Sequence, residues 1–222
     1  MAPIKVFTAP TPNAHKIVAA LEELGLEYEV QPVAIFQGEQ FSDEYKKVNP
    51  TGRIPAIIDE DGPGGEPITV CETGAILLYL VQKTGKLLPT DPRKRCEALQ
   101  WLFAVVTGIA ISVREFAHYT MFAAEMCADP YPTQRYVGET ERVLAVLEEH
   151  LKDGKEYIAG GEFSIVDIAM YVWVAAMIQR RGKIQSSKTG EEYVNITAWA
   201  QKLARNHPSF DKAVAACEPP PP

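Results

Sequence analysis

The change of pattern at residues 85–92 (GKLLPTDP) constrains this fold more than any other feature of the sequence. Before it, short β-branched runs alternate with amphipathic helical segments in the order βαβαββα, whereas only helical periodicity is found after it. The segment itself is rich in glycine and proline, which end regular elements. We therefore predict an α/β domain at residues 1–86, a linker at 87–92, an all-helical domain at 93–217, and a disordered proline-rich tail at 218–222.

Hydrophobic spacing places the elements of both domains. The first helix has the clearest signal, because Ile17, Val18, Leu21 and Leu24 recur on one face and Gly25 follows as a stop signal. We expect strands near residues 4–8, 28–35, 54–58 and 68–71, and helices near 13–24, 42–48, 72–83, 93–126, 131–152, 164–180 and 193–206.

One local signal in the second half marks a helix start. The Ser164 side chain can cap the helix that follows, and Asp167, three residues later, can reach back to it. We interpret this pair as a folding device and not as a site.

Composition and charge exclude several classes of function. Lysine and arginine total 22 against 29 aspartates and glutamates, so the net charge is −7 and a nucleic-acid partner is not expected. An acidic protein must hold a small anion by local groups, because its overall field opposes the ligand. The cysteines do not have the CxxC spacing of a metal site; they are Cys71, Cys96, Cys127 and Cys217.

The sequence also favours a location in the cytoplasm. No signal peptide precedes Ile4, so we expect a reducing compartment. The most apolar stretches, at 102–113 and 168–178, fall short of the roughly 18 residues that span a bilayer. We interpret both as buried core helices and expect no membrane partner.

The turn between the first strand and the first helix carries a hydroxyl and an amide, Thr11 and Asn13, but no cysteine. A helix N-terminus has unpaired N–H groups and positive partial charge, which stabilise a thiolate. Both side chains could donate a hydrogen bond to a sulfur anion supplied by a ligand. The alternative, which the local residues alone favour, is that Asn13 caps the helix and Thr11 only stabilises the turn.

A second helix start carries Glu72 and Thr73. Backbone N–H groups and the Thr73 hydroxyl could hold a carboxylate, and Glu72 could pair with an ammonium group, as a free α-amino acid requires. A capping Glu/Thr pair is an equal alternative.

Two other features lie near the same predicted sheet edge. Ile54 precedes Pro55 at a strand start, and a cis bond there would leave the Ile54 backbone free to pair with an extended ligand. Gln40 and Arg53 could hold a second carboxylate, although each taken singly is more often a surface residue.

Together these segments resemble the glutathione transferase superfamily, over about residues 3–210. The likeness is carried by segments in both halves of the chain: 7–13 (FTAPTPN), 49–57 (NPTGRIPAI), 72–80 (ETGAILLYL), 99–103 (LQWLF), 130–136 (PYPTQRY) and 164–167 (SIVD). With 38–41 (GEQF), the first segment is most similar to the Nu class and its fungal relatives, which include glutathione-dependent disulfide-bond reductases and a nitrogen-catabolite regulator. The resemblance implies a thioredoxin-like N-terminal domain, an all-helical C-terminal domain, and a homodimer with glutathione as co-substrate and no metal.

The resemblance also implies a role for each candidate residue. Thr11 and Asn13 would be catalytic and face the glutathione sulfur. The glutathione-binding residues would be the Ile54 backbone beside a cis Pro55 at the cysteinyl unit, Glu72 and Thr73 at the γ-glutamyl end, Gln40 and Arg53 near the glycyl end, and Arg135 from the helical domain. The pocket for the second substrate would be lined by Phe116, His118, Tyr119 and Phe122.

This sequence departs from the family pattern at three places. Thr73 stands where serine is usual and keeps the hydroxyl, and Arg53 stands where lysine is frequent and keeps the charge. Residues 114–115 are Arg-Glu where relatives tend to have Gly-Gln, on the side of the second substrate. With the bulky Met121 and Met126, this favours an apolar electrophile pocket over a second glutathione site; core packing of a long helix is the equal alternative.

Three functions fit these observations. The leading hypothesis is an enzyme whose bound glutathione thiolate reduces disulfides, conjugates small electrophiles, or both. A narrower enzyme reading is conjugation of apolar electrophiles in detoxification. The third reading, a non-catalytic glutathione-binding or protein-interaction module, is opposed by the presence of Arg53, Glu72, Thr73 and Arg135.

Overall fold

A computed structural model describes residues 2–186 and 189–218. Two compact units emerge from its contacts: the residues up to Leu88 together with those from Ala204, and Pro89–Leu203. The first contains a mixed sheet with helices and the second is helical, so the predicted fold class is confirmed.

The sheet of the first unit has the order β2-β1-β3-β4. Its strands are β1 Ile4–Thr8, β2 Tyr28–Pro32, β3 Ala56–Asp59 and β4 Ile68–Cys71. Strand β1 pairs parallel with β2 and antiparallel with β3, which pairs antiparallel with β4. Strands β2 and β3 are shorter than expected, since a proline at position 32 or 55 has no N–H to donate to a ladder.

Helices α1 Pro12–Leu24, α2 Asp43–Val48 and α3 Thr73–Thr84 follow their predicted positions to within a residue. Helix α1 ends at Gly25, whose φ of 65° is the left-handed conformation that glycine adopts most readily. Helices α1 and α3 pack against each other and contribute fully buried side chains, each stabilising the core by about 1.5–3 kcal/mol: Ile17, Leu21, Ile76, Leu77 and Leu80.

A last helix, α9, Ser209–Cys217, completes the first unit and was not expected from the sequence. It packs on α1, where the Ser209 hydroxyl donates to Glu23 at 2.6 Å and His207 Nδ1 lies 3.1 Å from the same carboxylate. Residues 204–218 therefore group with the first unit, whereas the sequence analysis assigned 93–217 to the helical domain. The expected disorder at 219–222 lies outside the described residues.

The second unit begins with one long helical run. Helix α4, Pro92–Ala104, continues through a π-helical turn at Val105–Ile109 into α5, Ala110–Ala117, and through another at His118–Phe122. The run ends four residues before the predicted residue 126. Helices α6 Tyr131–Leu151, α7 Ile165–Arg181 and α8 Val194–Asn206 follow, and the core is the fully buried face of α7: Ile165, Val166, Ile168, Ala169, Met170 and Val174.

The predicted capping box at the start of α7 is confirmed. The Ser164 hydroxyl accepts from the Val166 N–H at 3.2 Å, and Asp167 accepts from the Ser164 N–H at 3.0 Å. Asp167 also accepts from the Ile158 N–H at 2.8 Å, and burial raises its pKa to about 6.

The run Pro92–Phe122 is longer than the apolar stretch recognised in the sequence. It has 31 residues and an 18-residue window of mean hydropathy 1.7, so by length and composition this helix could cross a membrane. A core helix of a soluble protein passes the same test, and 39% of that window is buried.

Candidate functional site

The first turn of α1 presents donors to the space in front of the helix. Thr11, not Asn13, is the N-cap: its hydroxyl oxygen accepts from the Ala14 N–H at 3.3 Å. Because the cap uses a lone pair of the oxygen, the O–H hydrogen of Thr11 remains to be donated. Asn13 lies in the first turn, where backbone N–H groups have no intrahelical acceptor. The capping alternative for Asn13 is therefore wrong.

A buried lysine that the sequence analysis did not single out joins this turn to the start of α3. Lys16 Nζ donates to Asn13 Oδ1 at 3.2 Å and to Thr73 Oγ1 at 3.3 Å. Its side chain is completely buried, and burial lowers its pKa to about 7. The structure thus brings together Asn13 and Thr73, which are 60 residues apart in the sequence and were predicted to bind the sulfur and the γ-glutamyl end of one ligand.

The start of α3 has an unusual backbone. Glu72 precedes the helix at φ 68° and ψ 124°, a sparsely populated region that costs on the order of 1–3 kcal/mol for a residue with a side chain. Its carbonyl accepts from the Ile76 N–H at 2.8 Å, but its carboxylate makes no capping bond. The capping alternative therefore does not describe Glu72, whose carboxylate remains available to a ligand.

The backbone of the loop that holds Arg53 is anchored by two hydrogen bonds. The Arg53 carbonyl accepts from the Tyr45 hydroxyl and from Asn49 Nδ2, both at 2.7 Å. The following Ile54–Pro55 bond is cis, as the resemblance implies.

Gln40 lies against the same loop. At Gly52, where φ is 64°, an added Cβ would lie 2.9 Å from the Phe41 ring and 3.1 Å from the Gln40 carbonyl. The absence of a side chain at Gly52 is what lets the turn at residues 39–41 approach. Gln40 Oε1 is buried without a hydrogen-bond partner in the described part of the chain.

The cysteines of the first unit are not set up as nucleophiles. Cys71 donates to the Val48 carbonyl at 3.3 Å, and burial together with Glu72 raises its pKa. Burial also raises the pKa of Cys217 to about 11. Both thiols are therefore protonated at neutral pH, in contrast to reactive cysteines, whose pKa is lowered.

The predicted residues of the second-substrate pocket lie in the second unit, on the long run and its terminal π-helical turn. His118 contacts Tyr119 edge-on at 5.0 Å between ring centroids, and Tyr119 stacks at 5.7 Å on Tyr136, which the sequence analysis had not assigned to the pocket. Phe116 lies 4.5 Å from the Arg181 guanidinium, and Phe122 is exposed.

Arg135 precedes Tyr136 on α6 and is exposed within its unit. Its predicted reach to a ligand stays a prediction.

The Arg-Glu pair that departs from the family pattern is internally compensated. Arg114 Nε donates to Glu115 Oε1 at 2.7 Å, so the two charges largely cancel.

Within residues 2–186 and 189–218, no three histidine, cysteine, aspartate or glutamate side chains are grouped in a way that could hold a metal ion.

Two family models match the sequence. Residues 2–82 match "Glutathione S-transferase, N-terminal domain", and residues 131–206 match "Glutathione S-transferase, C-terminal domain". Among curated proteins, the chain is 36% identical over 212 residues to the disulfide-bond oxidoreductase YfcG of Escherichia coli (strain K12), which covers 95% of this chain and 94% of that protein.

Solved structures of similar proteins carry ligands. A glutathione transferase from Pseudomonas putida, with one glutathione disulfide bound per subunit, has a TM-score of 0.87 and 34% identity, covering 96% of this chain and 90% of that one. A glutathione transferase homologue from Lodderomyces elongisporus, with two GSH per subunit, has a TM-score of 0.86 and 30% identity, covering 100% of both chains.

Proposed function

Because this chain belongs to the glutathione S-transferase family, we propose that it ionises the thiol of bound glutathione at the N-terminus of α1 and uses the thiolate to reduce disulfides. The predicted family and its enzyme class are confirmed by the matching family models and by the relatives at 30% identity or more. The observation that supports this proposal most is the set of hydrogen-bond donors at the start of α1. Thr11 and Asn13 lie there, and this turn contains no cysteine.

The energy of these donors is sufficient for the task. Lowering a thiol pKa from about 8.5 by about two units requires about 2.7 kcal/mol of preferential stabilisation of the anion. A helix N-terminus contributes about 0.3–1 kcal/mol, and up to about 2 kcal/mol when partly buried. Each hydrogen bond to a charged acceptor contributes about 1.5–3 kcal/mol. The Thr11 hydroxyl, the Asn13 amide and the helix therefore suffice together.

The proposed reaction has two thiol–disulfide exchanges. The bound thiolate attacks one sulfur of the substrate disulfide, a mixed disulfide with glutathione forms, and the other sulfur leaves as a thiolate. A second glutathione thiolate then attacks the mixed disulfide, which gives glutathione disulfide and the reduced substrate. Glutathione supplies both electrons, so no protein cysteine is oxidised, in keeping with the protonated Cys71 and Cys217.

The remaining ligand contacts follow from the chemistry of the first unit. We assign the ammonium of the γ-glutamyl unit to Glu72 and its carboxylate to Thr73 and the α3 N–H groups, and the cysteinyl amide to the Ile54 backbone beside Pro55. Gln40 and Arg53 would meet the glycyl carboxylate, supported by the close approach of the turn at 39–41 to the loop that holds Arg53, and Arg135 would reach the ligand from the second unit.

Relatives support the choice of disulfide reduction. YfcG is named a disulfide-bond oxidoreductase, and the two solved relatives carry glutathione disulfide and two GSH per subunit, respectively. The Arg114–Glu115 pair neutralises itself, so the departure from the family pattern adds no net charge on that side.

Conjugation of a small apolar electrophile, as in detoxification, is the second candidate. In that reaction the thiolate attacks an electrophilic carbon and a leaving group departs with its electron pair. It is favoured by apolar side chains at the end of the long run: Met121 is 54% exposed, Phe122 60% and Met126 84%.

Assembly and location complete the proposal. An open apolar groove on α4, lined by Cys96, Leu99 and Phe103, supports a homodimer that covers this face. A cytoplasmic location would supply reduced glutathione. Light scattering of the purified protein measures the assembly, and a monomer at micromolar concentration would refute the dimer.

The purified protein should be assayed with glutathione against hydroxyethyl disulfide and against a chloronitrobenzene. We expect glutathione-dependent reduction well above the uncatalysed rate. A reductase rate equal to the uncatalysed one, beside clear conjugation, would replace the leading proposal by the second candidate. Absence of both, with no calorimetric binding of millimolar glutathione, would refute both.

Two single substitutions test whether Thr11 and Asn13 take part in the reaction. Thr11→Ala and Asn13→Ala should each lower kcat/KM roughly 10- to 100-fold, the equivalent of one hydrogen bond to a charged acceptor. Thr84→Ala is the matched hydroxyl control, since Thr84 bonds the Leu80 carbonyl at the far end of α3, and the exposed Asn206→Ala is the amide control. Wild-type rates in both test variants would remove Thr11 and Asn13 from the mechanism.

A further inference from the structure

Lys16 is a buried charge that the proposed mechanism does not yet use. Lysine is almost never fully buried unless it is paired, because removing an ammonium group from water is expensive. Lys16 has 0% exposure, and its acceptors include the neutral oxygens of Asn13 and Thr73. Lys83 in the same unit forms an ion pair with Asp59 at 2.9 Å.

The hydrogen bonds of the Lys16 amino group decide how these two acceptors are oriented. Lys16 donates to the Asn13 carbonyl oxygen, so the amide Nδ2 of Asn13 is left for another partner. In the same way the Thr73 oxygen accepts from Lys16, and its O–H hydrogen is left to be donated elsewhere. Both groups are thereby fixed as donors, which suits a ligand that presents an anion to each.

We propose that Lys16 is a positioning residue for glutathione activation: its buried amino group holds the Asn13 amide as a donor to the ligand sulfur and the Thr73 hydroxyl as a donor to the ligand carboxylate. This inference rests on the proposed function and deepens it. Lys16 donates to one residue at the start of α1 and to one at the start of α3. Because hydrogen bonds in a chain polarise one another, these bonds also strengthen the Asn13 amide and the Thr73 hydroxyl as donors. A ligand with a thiolate in one unit and an α-amino-acid carboxylate in the neighbouring unit matches both donors.

The first test replaces Lys16 by methionine, an unbranched residue of similar length without a donor. In Lys16→Met we expect the pKa of the bound glutathione thiol, followed by its ultraviolet thiolate absorbance, to rise by about one unit. At neutral pH, kcat/KM should fall about tenfold, which corresponds to about 1.4 kcal/mol. Lys83→Met is the matched control and should leave both readouts unchanged. A wild-type thiol pKa in Lys16→Met would overturn the proposal.

A double-mutant cycle asks whether Lys16 acts through Asn13. If it does, the pKa of the bound thiol in Lys16→Met combined with Asn13→Ala should equal that in Asn13→Ala alone, because the oriented amide is already gone. If the two pKa increases add, Lys16 does not act through Asn13 and the proposal is overturned. Wild-type protein without glutathione-dependent turnover would instead refute the proposed function, so the two failures are distinguishable.

Asn13→Asp tests the same geometry if Lys16→Met does not fold. The aspartate keeps an oxygen for Lys16 but has no Nδ2 to donate, so the fold should be retained while the bound thiol pKa rises by more than in Asn13→Ala. A bound thiol pKa equal to that of the wild type would overturn the orientation assigned to Asn13.

Discussion

The buried ammonium of Lys16 should make the stability of the first unit depend on pH. Burial lowers its pKa from 10.5 to about 7 in the folded protein. Between these two values the unfolded chain binds a proton that the folded chain has released, so the free energy of unfolding rises with pH. The slope approaches about 1.4 kcal/mol per pH unit, and the integrated gain between pH 7 and 9 is about 2 kcal/mol.

Urea unfolding of wild type and Lys16→Met at pH 7, 8 and 9 measures this gain. Far-ultraviolet circular dichroism is the suitable probe, because Trp101, Trp173 and Trp199 all lie in the second unit. Buried groups such as Cys217, whose pKa is raised to about 11, oppose the trend at higher pH, but they are common to both proteins and cancel in the difference.

Loss of the hydrogen bonds in the variant adds an offset of about 1 kcal/mol each that does not change with pH. We therefore expect wild type to gain about 2 kcal/mol on the variant between pH 7 and 9. A difference that stays constant over this range would refute the reasoning, since Lys16 would then have the same pKa in both states.

Further variants test other parts of the structure. Ser164→Ala removes the cap of α7 and should lower the free energy of unfolding by about 1 kcal/mol in urea, followed by tryptophan fluorescence; an unchanged midpoint would contradict the capping role. Gly52→Ala puts a Cβ 2.9 Å from Phe41 and should raise KM for glutathione with little change in kcat, so an unchanged KM would show that the loop adjusts freely. Glu72→Gln should weaken binding of glutathione about tenfold, the equivalent of one charged hydrogen bond, but not binding of an analogue without the α-amino group; equal weakening of both would remove the ammonium assignment.

Periodicity was sufficient for the elements whose burial follows from their own sequence. Helix α1 combines an apolar face at Ile17 and Leu21 with Thr11 before it and Gly25 after it, so its bounds are locally determined. The same holds for the start of α7 at Ser164, where the cap and the buried face coincide.

Features that depend on distant partners were missed. Helix α9 has nine residues, and its burial comes from α1, nearly two hundred positions earlier in the chain. Lys16 is a single lysine beside apolar positions, and no local pattern predicts its hydrogen bonds to Asn13 and Thr73. A lysine within an otherwise apolar stretch near a helix start is the signal that could have found it.

The position of α9 affects how this protein can be made. Because α9 packs on α1, the unit that carries Thr11 and Asn13 cannot be complete until residues 209–217 have left the ribosome. Synthesis therefore finishes the helical unit first and the unit with the sheet afterwards. A chain cut after residue 92 would leave the side of α1 that packs against Ser209 and Phe210 exposed to water.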